Sequence, residues 1–139
     1  MRIAIRTDKA PRPAAAYEQA ILSGDLIFVS GQVASDPATG QIIAKTIEDQ
    51  VAQALRNIET ILQAADADRN DVVRCGVFLA DLNDFAAMNR SYAAFFGDSL
   101  PARTTVQVGL GALRIEIDAI AVRRRKGSGR KMARKESRR

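Results

Sequence analysis

One long amphipathic segment constrains the fold more than any other feature of the sequence. Between Thr46 and Ala65, apolar residues recur every three or four positions and polar residues occupy the opposite side, which predicts a helix with one buried face. Thr46 is suited to cap this helix, because Asp49 follows three residues later in an arrangement close to a capping box. Such a helix must pack on a second apolar layer. The apolar positions are Ile47, Val51, Leu55, Ile58, Leu62 and Ala65.

Short β-branched and aromatic runs, separated by Gly, Pro and Asp, predict that the second layer is a β-sheet. The predicted strands are residues 3–5, 19–23, 26–29, 72–79, 103–106 and 113–122, with a further short strand at 41–44. A second helix begins near Asp81 or Asn83 and ends at Gly97. Its apolar face, predicted to be core packing, consists of Phe85, Met88, Tyr92, Phe95 and Phe96. The order of elements predicts an α+β fold, a mixed β-sheet with two helices packed on one face.

An arginine and a glutamate stand out against this predicted core. Arg103 follows Pro101 and opens a run that is predicted to be a buried strand. Its planar guanidinium suits two parallel hydrogen bonds to a carboxylate. Glu116 lies between Ile115 and Ile117, in a second run with the character of core. An arginine that binds an acid and a carboxylate that moves protons predict chemistry on a small keto or imino acid. From the residues alone, a surface ion pair for Arg103 and a solvated position for Glu116 remain open.

The composition excludes several catalytic classes. The chain contains no histidine, which rules out Ser-His-Asp triads, Cys-His pairs and His-ligated metals. The single cysteine, Cys75, cannot form an internal disulfide and is predicted to be a small core residue in a reducing compartment. No apolar run approaches the length of about 18 residues that spans a membrane, and the N-terminus lacks a signal-peptide pattern. We therefore expect a soluble cytoplasmic protein with no membrane partner.

The positive charge is concentrated at the C-terminus. Residues 123–139 contain ten Lys or Arg and one Glu, whereas residues 1–122 contain eleven Lys or Arg and fifteen Asp or Glu. The chain therefore divides into a mildly acidic domain, residues 1–123, and a basic tail, residues 124–139, which has almost no apolar surface to bury and is predicted to be disordered. The tail predicts non-specific nucleic acid binding through residues 123–139, with a strong dependence on salt.

A series of short motifs runs in a fixed order from Ile3 to Arg124. The motifs are Thr7-Asp8-Lys9-Ala10-Pro11, Ser30-Gly31-Gln32, Asp36-Pro37-Ala38-Thr39-Gly40, Gln50 with Ala54-Leu55-Arg56-Asn57, Asp81-Leu82-Asn83-Asp84-Phe85, Asn89 with Tyr92, Pro101-Ala102-Arg103 and Ile115-Glu116-Ile117. In this set and this order the chain resembles the RidA (YjgF) family, the reactive-intermediate imine deaminases. The resemblance implies a chorismate-mutase-like (YjgF-like) fold. It also implies a homotrimer with three active sites in the clefts between subunits.

The resemblance also implies an activity and its residues. The reaction is hydrolysis of 2-imino or 2-enamino acids, such as 2-aminoacrylate and 2-iminopropanoate, to 2-keto acids and ammonia, with no metal and no organic cofactor. By motif, Arg103 would bind the substrate carboxylate and Glu116 would activate or position water. The other pocket residues implied are Tyr17, Ser30, Gly31, Asn89 and Thr105, with Gly31 and Thr105 contributing backbone groups.

Two segments depart from the family pattern. Ala15 and Ala16 stand where the family usually has Gly-Pro before the tyrosine, and the loop at residues 107–112 is shorter and differs in sequence. Two other functions stay open beside the deaminase. One is an RNA-binding or ribonuclease-like protein that acts through the basic tail. The other is a non-catalytic small-molecule-binding trimer.

Overall fold

A computed structural model of the chain describes residues 1–124, and within them six strands form one sheet that is covered by two helices. The elements are β1 (Arg2–Ile5), β2 (Ala20–Ser23), β3 (Leu26–Gln32), α1 (Ile47–Gln63), β4 (Val72–Leu79), α2 (Phe85–Phe96), β5 (Ala102–Gln107) and β6 (Ile115–Val122). The strand order is β1-β2-β3-β6-β4-β5. All neighbours are antiparallel except β4 and β5, which are parallel and are joined through α2. The predicted α+β fold with a mixed sheet is confirmed.

Helix α1 lies across the centre of the sheet because its sequence gives it one continuous apolar face. The Thr46 hydroxyl accepts a hydrogen bond from the Asp49 amide at 3.1 Å, so the predicted cap is confirmed. The helix ends at Gln63, two residues before the predicted end. Strand β6 presents its alternate residues to the helices. The side chains buried there are Ile115, Ile117, Ala119 and Ala121.

Helix α2 buries only part of its predicted apolar face. Met88, Tyr92 and Phe96 are buried, as expected for core residues. Phe85 is 39% exposed, so its prediction as core is wrong: it stands in the first turn of the helix, beyond the edge of the packed layer. Phe95 is partly buried and lies under the Arg69 guanidinium, whose Cζ is 3.9 Å from the ring centroid.

Two strand predictions are also corrected. Residues 41–44 form only an isolated bridge between Ser35 and Ile42 rather than a strand. Strand β5 is not buried, because it is the last strand in the sheet and has β4 as its single neighbour among the described residues. Its residues Ala102, Thr104 and Val106 are exposed.

The face of the sheet opposite the helices is open in the single chain, and apolar side chains lie on it. Leu26 and Phe28 alternate with the buried residues of β3 and are 41% and 43% exposed. Val122, paired with Leu26 on β6, is 39% exposed. We call this surface the open face.

The described chain ends in a well-anchored segment. The Arg123 amide donates to the Asp25 carbonyl at 2.6 Å. The Arg124 guanidinium, through Nε, lies 2.6 Å from Oδ1 of Asp71, a carboxylate whose side chain is 4% exposed. The predicted basic tail otherwise falls on residues 125–139, which lie outside the described residues. Neither helix within residues 1–124 is long and apolar enough to cross a membrane.

Candidate active site

Arg103 projects from the edge strand β5 toward helix α2, where four side chains surround its guanidinium. Nη1 donates a hydrogen bond to Oδ1 of Asn89 at 2.9 Å and lies 4.0 Å from the sulfur of Met88. Its Cζ is 4.7 Å from the ring centroid of Tyr92 and 5.5 Å from that of Phe85. Nε and Nη2 donate to no group in residues 1–124. One edge of the guanidinium is therefore free to bind a carboxylate by two parallel hydrogen bonds.

Tyr92 and Cys75 form the buried floor beneath Arg103. Burial raises the pKa of the Cys75 thiol to about 11, and it also raises the pKa of the Tyr92 hydroxyl, an effect to which the neighbouring thiol adds. Both groups therefore keep their protons at neutral pH, so neither serves as a base or nucleophile. Cys75 is fully buried, which confirms its prediction as a core residue. Within the described chain, the Tyr92 hydroxyl has no hydrogen-bond partner of normal geometry.

Glu116 lies on the open face, in a pocket of about 320 Å³ that is also lined by Tyr17, Ser30 and Gly31. The absence of a side chain at Gly31 makes room for the carboxylate, since a Cβ there would lie 2.7 Å from Oε2 of Glu116. The Glu116 side chain makes no ion pair or hydrogen bond within residues 1–124. It is half-buried and available to a water molecule or a ligand.

The loop that carries Tyr17 is held against β3 although it lacks the family's Gly-Pro. The Ser30 hydroxyl donates to the Glu18 carbonyl at 2.6 Å, and the Ser30 amide donates to the Gln19 carbonyl at 3.0 Å. The side-chain Nε2 of Gln19 donates to the carbonyls of Thr7 and Pro11 at 3.0 and 2.9 Å. The Tyr17 ring is 45% exposed at the mouth of the pocket. Ser30 therefore fixes the loop, and its hydroxyl proton is already used within the chain.

The structure divides the predicted site residues into two groups. Arg103 pairs with Cys75 of β4, and Glu116 pairs with Phe78 of the same strand. Cys75 and Phe78 are three residues apart, so their side chains point to opposite faces of the sheet. Arg103 and its Asn89 partner therefore lie on the helix side, and Glu116 lies on the open face. A single chain does not bring the predicted arginine and glutamate into one pocket.

Thr105 belongs to the arginine group. It lies two residues after Arg103 on β5, pairs with Val77, and is half-buried on the same side of the sheet. Tyr17, Ser30 and Gly31 lie with Glu116 on the open face. The sequence predicts one pocket for all seven residues and does not reveal this division.

Phe85, Met88 and Tyr92 contact Arg103 although the sequence predicts them only as core residues. The signal was their spacing: Phe85, Asn89 and Tyr92 are separated by four and three residues, which places them on one face of a helix. In residues 1–124, no group of three or more Cys, Asp or Glu side chains is arranged to hold a metal ion.

The fold and these two groups define a class of protein: a six-stranded α+β sheet with an arginine held at its edge and a carboxylate pocket on its open face. The chain belongs to the Endoribonuclease L-PSP family, which includes the RidA and YjgF proteins, since the family profile matches residues 7–123. This finding confirms the resemblance seen in the motifs.

Three similar proteins support the assignment. The chain is 47% identical over 123 residues to a RutC family protein of Pyrococcus horikoshii, a match that covers 87% of this chain and 98% of that protein. It is 44% identical over 124 residues to the 2-iminobutanoate/2-iminopropanoate deaminase of Rattus norvegicus, covering 88% and 90%. The crystal structure of the YjgF gene product of E. coli superposes with a TM-score of 0.82 at 40% identity, covering 88% of this chain and 99% of that one.

Proposed function

We propose that the protein is a hydrolytic deaminase that converts 2-imino and 2-enamino acids, such as 2-iminopropanoate and 2-aminoacrylate, to 2-keto acids and ammonia. The free edge of the Arg103 guanidinium carries the proposal, because it matches a carboxylate, which these substrates share. The rat relative is named for this activity. The proposed chemistry requires no metal and no organic cofactor.

The proposed reaction uses one carboxylate for all of its proton transfers. With the substrate carboxylate bound by Arg103, Glu116 accepts a proton from water as its oxygen attacks the carbon of the C=N bond. Glu116 then returns this proton to nitrogen, which gives a carbinolamine. As the C–N bond breaks, Glu116 takes the proton of the new hydroxyl group and passes it to the departing nitrogen, so the products are the 2-keto acid and ammonia. A positioned acid–base group of this kind contributes about 10²–10⁴ in rate.

The proposed site is shared between copies of the chain in a homotrimer. One copy would contribute Arg103, Asn89 and Thr105, and its neighbour would contribute Glu116 with Tyr17, Ser30 and Gly31. The division of these residues between opposite faces supports this arrangement, since neither face holds the complete set. The exposed apolar residues of the open face supply a surface that a second copy could bury. We place the protein in the cytoplasm, where its buried thiol would stay reduced.

The test couples an enzyme that releases 2-aminoacrylate to a dehydrogenase that consumes the keto acid formed. Wild-type protein should accelerate keto acid formation above the spontaneous rate. Arg103→Ala should lower kcat/KM by about a hundredfold, because two charge-assisted hydrogen bonds are lost. Glu116→Ala should lower kcat by about 10²-fold or more. Arg90→Ala, at an exposed position of α2 next to Asn89, is the matched control and should behave as the wild type.

The same assay separates the deaminase from a non-catalytic binding protein. Wild-type protein that binds the keto acid product but leaves the spontaneous rate unchanged would support the binding protein and contradict the deaminase. Full activity in Glu116→Ala would overturn the role of Glu116 and leave the overall reaction in place.

We propose a second function for the basic tail, non-specific nucleic acid binding through residues 123–139. The observation that favours it is a density of ten cations in seventeen residues, together with the ribonuclease name of the family. Deletion of residues 125–139 should abolish retention of RNA at low salt and leave deaminase activity unchanged. RNA binding that survives the deletion would contradict this function for the tail.

A further inference from the structure

The contacts of Arg103 point to a role for aromatic residues that lie outside the predicted site. Phe85 is a large apolar residue in the first turn of α2, and 39% of it is exposed. Core packing does not account for an aromatic ring at this position. The Arg103 guanidinium lies 5.5 Å from that ring and 4.7 Å from the ring of Tyr92, distances at which a cation is attracted to an aromatic face.

We infer that Phe85 and Tyr92, together with Asn89, are positioning residues that hold the Arg103 guanidinium in its carboxylate-binding orientation. We call these three residues the arginine clamp. The inference rests on the proposed function, since the carboxylate is that of the proposed substrate. The inference adds Phe85 and Tyr92 to the site. It also gives a physical reason why Phe85, Asn89 and Tyr92 share one face of α2.

Arg103 needs such contacts to be ordered, because it lies on an edge strand. A long side chain at an exposed edge samples many rotamers, and binding would have to fix all of them. Asn89 occupies Nη1, while the two rings limit the tilt of the guanidinium plane. The edge formed by Nε and Nη2 is left free for a carboxylate. The clamp therefore orders the Arg103 side chain before the substrate binds.

A second arginine, Arg69, which precedes β4 and packs against the same helix, shows what a purely structural contact looks like. Arg69 lies 3.9 Å from the ring of Phe95, but its donors are used: Nε and Nη2 bind Glu59, and Nη1 donates to the Phe95 carbonyl. Arg103 has the same kind of ring contact and keeps two donors free within residues 1–124. The difference in unused donors separates an arginine that stabilises the fold from one that awaits a ligand.

The kinetic test removes one ring without removing the arginine. Phe85→Leu should raise KM for 2-aminoacrylate by about threefold, the size expected for one exposed cation–ring contact, with kcat within about twofold of wild type. Phe85→Tyr keeps the aromatic face and should restore KM. Phe95→Leu is the matched control, which should lower the melting temperature and leave KM unchanged.

A spectroscopic test measures how freely the Arg103 guanidinium rotates and does not depend on activity. In the ¹⁵N side-chain spectrum of arginine-labelled protein, the Arg103 signals are those absent from Arg103→Lys. Hindered rotation should give wild-type protein separate Nη1 and Nη2 signals, and these should merge in Phe85→Leu and in Asn89→Ala. Separate signals in a protein without deaminase activity would support the clamp and refute the proposed function. Unchanged KM and unchanged signals in Phe85→Leu would overturn the clamp.

Discussion

At the scale of single residues, two glycines decide where the carboxylates of β6 lie. A Cβ at Gly31 would stand 2.7 Å from Oε2 of Glu116, and a Cβ at Gly76 would stand 2.5 Å from Oδ1 of Asp118. Each glycine therefore lets an acidic side chain of the central strand lie flat over a neighbouring strand. The two acids differ in what they bind, because the Gly76 amide donates to Asp118 at 2.8 Å. Glu116 has no such partner within residues 1–124 and is the one available for chemistry.

Gly31→Ala should reduce catalysis more than stability. The new methyl group would displace the end of a flexible side chain rather than the backbone, so the protein should fold with a melting temperature near that of the wild type. The displaced Glu116 carboxylate would no longer lie where it can accept a proton from the attacking water. The value of kcat should therefore fall by about tenfold to a hundredfold. Steady-state kinetics and a thermal melt measure the two effects.

The matched control for Gly31→Ala is Gly76→Ala, which displaces Asp118 instead of Glu116. It breaks the bond between the Gly76 amide and the Asp118 carboxylate, so it should lower the melting temperature and leave kcat close to wild type. If both variants lose activity equally, the effect belongs to the open face in general and Gly31 has no special relation to Glu116.

At the scale of elements, α1 is attached to the segment after β3 by one buried amide. Asn57 is 1% exposed, and its Nδ2 donates to the carbonyls of Val33 and Ser35 at 3.1 and 2.9 Å. Its Oδ1 accepts a hydrogen bond from Gln53 at 2.9 Å. The helix therefore fixes the chain immediately beyond β3, the strand that carries Ser30 and Gly31.

Asn57→Ala should destabilise the protein by about 2–3 kcal/mol, because one buried and one part-buried carbonyl lose their donor. Gln63→Ala, at an exposed position of the same helix, should change stability by about 0.5 kcal/mol or less. Urea denaturation at one fixed protein concentration measures both values. Equal midpoints for the two variants would show that this amide does not anchor the helix.

Elements were predictable from the sequence where a single helix or strand carries its own pattern. The periodicity of α1 and its Thr46 cap are local signals, and both predictions are confirmed. The prediction that β5 is buried was wrong, because a β-branched run does not reveal whether its strand has one neighbour or two. Phe85 was assigned to the core for a related reason: helical spacing gives the face of a residue and not how far the opposite layer extends.

At the scale of the whole molecule, candidate site residues could be proposed from the sequence, whereas their division between the two faces of the sheet could not be predicted. The placement of Arg103 and Glu116 on opposite faces depends on the register of β4 with both of its neighbours, which has no signature in local sequence. The exposed apolar residues of the open face likewise become visible only once the sheet is assembled. The proposed trimer accounts for both observations, because a neighbouring copy would cover the open face and complete each site.

Mixing two inactive variants tests this division directly. Arg103→Ala protein lacks the arginine group, and Glu116→Ala protein lacks the carboxylate, yet each retains the half that the other has lost. In trimers reassembled from equal amounts, a site is complete when the copy that supplies its arginine has Arg103 and the neighbouring copy that supplies its carboxylate has Glu116. Each condition is met by about half of the copies, so about a quarter of the sites should be wild type in composition. Co-refolding the variants should therefore restore about a quarter of wild-type activity.

Refolding each variant alone is the control for this mixing experiment, and neither should recover activity. If Arg103 and Glu116 acted within one chain, every copy in the mixture would still lack one of them, and no activity would return. Recovery would scale with the product of the two variant fractions if the site is shared, because each site draws one half from each of two neighbouring copies. The dependence on mixing ratio therefore identifies a shared site even when refolding is incomplete.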